Sequence, residues 1–425
     1  ETAAWRTVCV GTETMNEPAA HATIEEVVRH SYGRLVAYLA ARTGDVAGAE
    51  DALSDALMRA LARWSVDGVP DKPEAWLLRA ARNRQIDAFR RQAVRQDAAA
   101  FLQQVAAEAE TMAERSDEFP DERLKLLFVC AHPGIDPAAR TPLMLQTVLG
   151  IESARIASAF LVSPSAMEQR LVRAKQKIRS AAVPFRVPEP AGWDERVSFV
   201  LDAIYSAYTA GWESVSDESS APRGLARDAV ALGRTLVQLR PKEPEALGLL
   251  ALMLHCEARE AARFAGDGRF VPLDEQDTAR WSQPLIREAE DLLRRAAAER
   301  KPGRFQLEAA IQSIHAHRAI SGTIDWAEIA LLYEGLMRLA PGIGSQIGRA
   351  VALAEIGRAD ESLHALDGIS AERVAAHQPY WAARAHVLRR LKRREEARAA
   401  FTRAASLTEH PALRAHLFRR AADEI

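Results

Sequence analysis

Trp76–Arg95, WLLRAARNRQIDAFRRQAVR, decides how the rest of this chain is read. At a 3.6-residue period Trp76, Leu77, Ala80, Ala81, Ile86 and Phe89 fall on one broad stripe. Arg79, Arg82, Arg84, Arg90, Arg91 and Arg95 face elsewhere, opposed only by Asp87. That pattern is a helix buried on one side and cationic on the other. The whole chain carries 56 Lys and Arg against 58 Asp and Glu, a net charge of −2. So local an excess of arginine is either a solvated face or the seat of a polyanion.

Eighty or so residues on, Ile151–Arg179 reads IESARIASAFLVSPSAMEQRLVRAKQKIR. A short helix from Glu152 to Phe160 meets a turn at Leu161, Val162 and Ser163. A second helix then starts at Pro164, a residue favoured in a first helical turn. This is helix-turn-helix spacing, with Ala157 small enough for a close crossing and Ile156, Phe160, Val162, Met167 and Leu171 as the expected shared core. The second helix carries Arg170, Arg173, Lys175, Lys177 and Arg179, which suits phosphate neutralisation along a groove.

With both stretches placed, the chain resembles an extracytoplasmic-function (ECF) sigma factor of bacterial RNA polymerase, of the group with a C-terminal tetratricopeptide-like extension. The blocks that carry the resemblance are AEDALSDALMRALARW, GVPDKPEAWLLRAARNRQIDAFRR, HPGIDPAAR and AFLVSPSAMEQRLVRAKQKIR. It implies an all-α fold built from a sigma region-2 helical bundle, a sigma region-4 helix-turn-helix and a C-terminal α-solenoid. The expected organisation is an N-terminal segment 1–20, region 2 at 21–95, an acidic linker 96–120, region 4 at 121–183, a proline-rich hinge 184–192 and the solenoid 193–425. Residues Glu1 to Asn16 show no period, and Met15 reads as a start.

Composition agrees with helices: nearly half the residues are hydrophobic, and Ala, Leu and Arg dominate. No apolar run reaches the roughly 18 residues that span a bilayer, and no secretory signal is evident, so a cytoplasmic protein without a membrane partner is expected. Cys9, Cys130 and Cys256 are scattered without a C-x-x-C pair. A Cys130–His132 metal or redox site lacks further ligands at suitable spacing.

The helix Ala47–Trp64 is read with Glu50, Asp51 and Asp55 on an outer acidic face and Leu53, Leu57, Ala60 and Leu61 inward. The resemblance implies that this face docks on core RNA polymerase, on the β′ clamp, with the β subunit a further partner. The loop Ser65–Glu74 then captures a base flipped from the −10 element, and the following helix holds the unwound strand. Extruding a base costs a few kcal/mol, which pocket contacts and a cationic helix can offset. The −10 candidates are Asp67, Lys72, Arg79, Arg82, Asn83, Arg90 and Arg91. Trp76 reads as core, with base stacking as the alternative. On the second helix of the helix-turn-helix, Ser165, Glu168, Gln169 and Arg173 are expected at −35 base edges, with Arg170 and Lys177 on phosphates.

Beyond the hinge, Ile347–Leu366 aligns with Ala382–Phe401 at an offset of 35 residues, close to the tetratricopeptide period of about 34. The alignment pairs Ile356 with Leu391, Glu361 with Glu396 and Leu366 with Phe401. Such repeats stack into a curved solenoid with a concave binding face, for which a protein partner is one candidate. The insertion Gly266–Gln276 holds an Asp-Gly turn that suggests a short hairpin. Its Asp267, Arg269 and Asp274, with Trp281, form either a regulatory contact or a cap on the solenoid. An enzyme would have to use His315 and His317 with Asp325, yet residues at i and i+2 leave a helix on different sides. No catalytic residue, metal or cofactor is assigned. The competing reading is a helix-turn-helix regulator with a sensing solenoid; it leaves the Ala47–Trp64 face and the arginine helix unexplained.

Overall fold

The computed structural model describes residues 17–93, 121–160, 162–189, 192–213 and 222–424; the N-terminal segment to residue 16 and the acidic linker lie outside them. Helices dominate, and no strand occurs among the described residues, so the fold is all-α. The chain divides into two compact units, Glu1–Thr209 and Ala210–Ile425.

In the first unit, α1 (Glu17–Thr43), α2 (Val46–Asp67) and α3 (Pro73–Ala93) form a bundle around Leu35, Val36, Leu39, Leu53, Trp64, Leu77 and Ala81. Asp45 starts α2 by accepting a hydrogen bond from the Gly48 amide at 3.0 Å. Trp76 is half-buried and lies edge-on to Trp64, centroids 5.4 Å apart, which places it against the core.

The helices α4 (Arg123–Cys130), α5 (Pro137–Thr147), α6 (Ser153–Ala159) and α7 (Pro164–Ser180) build a second core within the same unit. α4 buries Leu124, Leu126, Leu127, Phe128 and Val129. Between α6 and α7 the turn is closed by the Val162 amide on the Ala157 carbonyl at 3.0 Å. Ser163 caps α7 by accepting from the Ala166 amide, with Pro164 in the first turn. Met167, Leu171, Ala174 and Ile178 point inward at helical spacing, onto Ile156 and Ala157. Phe160, expected in this core, is 39% exposed, because α6 ends one residue earlier and turns it outward.

The hinge does not separate the units where the sequence put it. Trp193 is buried on Phe128 (centroids 4.8 Å apart), and Phe199 of α8 (Asp194–Glu213) lies under the Arg140 guanidinium at 4.7 Å. Most of α8 therefore belongs to the first unit, and the division falls between Thr209 and Ala210.

The second unit runs through α9 (Pro222–Leu239), α10 (Pro244–Glu257), α11 (Gln283–Ala298), α12 (Arg304–Ser321), α13 (Trp326–Leu339), α14 (Ile343–Glu355), α15 (Ala359–Asp367), α16 (Ala371–Val374), α17 (Gln378–Arg390), α18 (Arg394–Ser406) and α19 (Pro411–Ala422). The 35-residue offset reappears in atomic detail. Gly357 and Lys392, 35 apart, both take positive φ, +83° and +59°. The next amides, Arg358 and Arg393, bond back to Leu353 and Leu388 at 2.9 and 3.0 Å. Those two arginines pair with Glu361 and Glu396. Two helical hairpins, α14–α15 and α17–α18, are thus one motif twice, sharing a core of Ile347, Ala350, Leu366, Ala385, Leu388 and Phe401.

Between α10 and α11 the chain makes the expected hairpin. Phe264 and Phe270 form an antiparallel bridge around Asp267-Gly268. Its bridged pair, not the exposed tip, meets the start and body of α19: Phe264 stacks on His410 and Phe270 meets His416 edge-on, while Glu275 beyond the hairpin pairs with Arg420 at 2.9 Å. Arg318 donates to the carbonyls of Leu273, Asp274 and Gln276 and lies over the buried Trp281. The insertion therefore ties an early helix of this unit to its last one. Hydrogen bonds from a charged donor contribute about 1.5–3 kcal/mol. Arg318→Ala is accordingly expected to speed amide exchange at 265–276 roughly tenfold or more, without changing exchange in α17 and α18.

Candidate nucleic-acid and polymerase interface

Of the stripe expected on α3, Leu77 and Ala81 are buried and Trp76, Ala80 and Ile86 half-buried, while Phe89 lies outside the described residues. Leu77, Leu78 and Ala81 are buried, while Lys72, Arg79 and Asn83 are exposed along the opposite side with the preceding loop. Arg82 is half-buried; burial, and then the charge of Arg42, lower its guanidinium pKa against the opposing pull of Tyr38. Asp67 is exposed and pairs with Arg63 one turn back at 3.2 Å. The side chains of Phe89, Arg90 and Arg91 lie outside the described residues.

On α2 the acidic face needs correction. Asp51 is exposed and Asp55 half-exposed, held by Arg84 of α3. Glu50 is not on that face: it is 9% exposed, and its Oε2 accepts from Lys175 Nζ at 2.5 Å. Burial raises its carboxyl pKa, with Lys175 pulling the other way. The physical reason is register. Position 50 follows Val46 by four residues and precedes Leu53 by three, so it falls within the apolar stripe Val46, Ala49, Leu53, Ala56, Ala60, Trp64. That spacing was visible in the sequence; its partner, 125 residues away, was not. The outward stripe of α2 is instead Asp51, Ser54, Met58 and Val66, with Met58 and Val66 67% and 69% exposed.

On α7, Ser165, Glu168, Gln169, Arg173 and Lys177 are exposed, and Val172 between them is 63% exposed. Arg170 is half-buried, its Nη1 donating to the Ala138 carbonyl at 3.4 Å. Arg173 Nε donates to the Gln169 carbonyl at 3.3 Å. Lys175 and Arg179, grouped by sequence with the cationic residues, face α2: Lys175 meets Glu50, and Arg179 meets Asp45 at 3.6 Å. Below α7, Arg140 is buried and donates to the carbonyls of Ile135 and Pro133, fixing the turn before α5. Sequence reasoning missed this structural arginine, since a turn carbonyl gives no pattern.

Cys130 is buried with its thiol on Thr147 Oγ1 at 3.6 Å, and burial pushes its pKa up to about 12, which suits an inert thiol. His132 accepts from the Gly134 amide through Nδ1 at 3.1 Å. Among the described residues no group of three or more His, Cys, Asp or Glu is arranged to hold a metal ion, and no helix is long and apolar enough to cross a membrane.

Comparison with known proteins bears on this arrangement directly. Residues 27–95, covering most of α1 together with α2 and α3, match the family model described as Sigma-70 region 2. Residues 196–297 match a family described as of unknown function. A protein of Rhizobium meliloti (strain 1021), described as uncharacterized, is 36% identical over 374 residues, which covers 87% of this chain and 88% of that one. No solved structure matches the chain. The region-2 match supports a sigma-factor-like role in transcription initiation, with core RNA polymerase and promoter DNA as the partners that such a region implies.

Proposed function

We propose that this chain, which belongs to the same family as the Rhizobium meliloti protein, is an alternative sigma factor of the extracytoplasmic-function type with a tetratricopeptide-like extension. The observation that carries the reading is the two-sided α3 helix, cationic outside and locked to Trp64 inside, within a region that matches Sigma-70 region 2. Asp51 and Asp55, with the exposed Met58 and Val66, dock on the polymerase β′ clamp. Lys72, Arg79, Arg82 and Asn83 hold unwound −10 DNA, joined by Asp67, Arg90 and Arg91. Ser165, Glu168, Gln169 and Arg173 read the −35 element, and Arg170 and Lys177 sit on its phosphates. The chain itself does no covalent chemistry. The repeated hairpins of the second unit favour a solenoid that binds a protein partner and thereby controls or supports initiation.

The test is run-off transcription by core polymerase, with and without the chain, on a promoter library. Core-dependent initiation from a defined −35/−10 pair is expected. Arg79→Glu combined with Asn83→Ala alters only exposed side chains, so folding is expected to be unchanged. Removing a charged hydrogen-bond donor costs about 1.5–3 kcal/mol, so initiation should fall roughly ten- to hundredfold. Duplex binding without core-dependent initiation would instead favour a helix-turn-helix regulator.

A further inference from the structure

The second unit holds a cleft of about 980 Å³ between α11, α12, the turn that leads into α13 and the residue that ends α14. That volume lies within the range of small-molecule sites, roughly 300–1,000 Å³. Its walls are apolar at Ile286, Ile314, Ile324 and Trp326. Two further apolar side chains of the lining stand in water, Ile320 at 82% and Ile356 at 37% exposed. Apolar side chains left in water around a concave surface mark a place that another molecule covers. The charged residues of the lining are Glu290, Asp325 and Glu328, and no lysine or arginine joins them, although the chain carries 56. Arg287, one turn before Glu290, is exposed and lies outside the lining.

Glu290 is the carboxylate that the fold builds in. It is 38% exposed, its Oε1 accepts the Ser313 hydroxyl at 2.6 Å, and behind it stands His255, 2% exposed. His255 Nε2 faces Glu290 Oε1 at 3.5 Å, yet neither ring nitrogen has a hydrogen-bond partner. Burial keeps that ring uncharged near neutral pH, so it does not neutralise Glu290 from within. A buried polar atom left unpaired is costly, and one turned towards a cleft wall points to a ligand there. At the rim, Asp325 caps α13 by accepting the Glu328 amide at 2.9 Å. Between rim and wall lies Trp326, which His315 meets edge-on, centroids 5.5 Å apart; an indole face beside carboxylates attracts a cation. From this combination we infer that the second unit binds a small organic cation with an apolar body, its charge at Glu290 and its body against Trp326, Ile320 and Ile356. The cleft holds one half-buried carboxylate rather than a row of them, which suits one compact cation better than a basic peptide.

Tetraphenylphosphonium and tetraphenylborate, alike in size and shape and opposite in charge, test it by titration calorimetry on the full chain. The cation is expected to bind one per chain, and the anion about tenfold more weakly or not at all. Glu290→Gln with Glu328→Gln should weaken the cation about tenfold while leaving the Ser313 hydroxyl an acceptor. Ile320→Arg places a positive charge at a side chain that is 82% exposed, so it should abolish binding without disturbing the fold. Bound tetraphenylphosphonium is expected to slow amide exchange at 313–328 and to leave α17 and α18 unchanged. Equal binding of the two ions, binding that does not saturate, or binding unmoved by both variants would overturn the inference. A basic amphipathic peptide that occupies the cleft and that tetraphenylphosphonium fails to displace would also overturn it, in favour of a protein partner. Self-association of the chain that Ile320→Arg abolishes would overturn it in favour of a second copy. None of these readouts needs polymerase, so they stand whether or not the chain initiates transcription.

Discussion

Replacing Gly248 by leucine is expected to cost the second unit about 4 kcal/mol, a large share of the roughly 5–15 kcal/mol that typically holds a domain folded. At this point α10 crosses α12 with no side chain between them: a Cβ on residue 248 would lie 2.6 Å from the Gln306 amide nitrogen and 2.9 Å from its Cα. Both are backbone atoms, so the clash is relieved only by moving the helices apart. That movement breaks a second device. The Glu245 carboxylate, one turn earlier on α10, accepts the first amides of α12, from Phe305 at 3.0 Å and Gln306 at 3.2 Å, and also Gln306 Nε2 at 3.1 Å. A carboxylate at a helix N-terminus satisfies orphan donors and complements the helix dipole. Overpacking contributes about 1–3 kcal/mol and the lost bonds about 1 kcal/mol each. Gly248→Ala should cost about half as much as the leucine. Glu245→Gln, which keeps an acceptor, should cost about 1 kcal/mol. Urea-dependent hydrogen exchange at α10 and α12 measures these values without assuming that a two-unit chain unfolds in one step. A leucine variant as stable as the parent would mean that α10 and α12 do not cross at residue 248.

How far the sequence led can be judged from particular residues. The start of α7 was legible because Ser163-Pro164 is a local signal, a cap followed by a fixed φ, and local signals survive into the fold. The repeat was legible because its 35-residue offset reflects a repeated turn, now visible at Gly357 and Lys392. Three features were not legible, and all three depend on distant partners. The periodicity of α2 admits Glu50 to the buried stripe, but its expected place was outside, because a buried carboxylate is costly without a cation and Lys175 lies 125 residues away. The proline-rich stretch before Trp193 looked like a domain boundary, yet Trp193 completes the core around Phe128. α10 buries Ala246 to His255 without a break, so it has no polar face to betray which neighbours surround it. The −10 and −35 candidates were drawn from residue type and spacing. Most lie on accessible faces, whereas the neighbouring lysine and arginine at 175 and 179 face α2 instead.

Acid is expected to weaken the second unit by about 3 kcal/mol for each of two buried histidines, with the loss confined between pH 6.5 and about 4. His255 on α10 is 2% exposed and His315 on α12 is 9% exposed; each is pushed down to about 4 from an ordinary value of 6.5, by burial first and then by the charge of Arg259. Arg318 adds to the effect at His315, and Asp274 opposes it. Glu290 Oε1 lies 3.5 Å from His255 Nε2 and would favour a charged ring. That carboxylate is 38% exposed and already accepts the Ser313 hydroxyl at 2.6 Å, so its pull falls short of the burial cost. The sign follows from proton uptake. Above pH 6.5 neither the folded nor the unfolded histidine is charged, and pH has no effect through these groups. As pH falls from 6.5 towards 4 the unfolded chain takes up a proton that the folded chain refuses, and stability drops by about 1.4 kcal/mol per pH unit per histidine. Below about 4 both states are protonated and the loss levels off. His255→Leu with His315→Leu removes both groups while keeping apolar volume, so the double variant should show a nearly level urea midpoint for α10–α12 between pH 7 and 4.5, where the parent falls steeply. His410 and His416, also lowered by burial, are further exposed at the insertion and should add only a shallow slope. If the double variant falls as steeply as the parent, the acid sensitivity lies elsewhere, and burial does not hold the two rings neutral below pH 6.5.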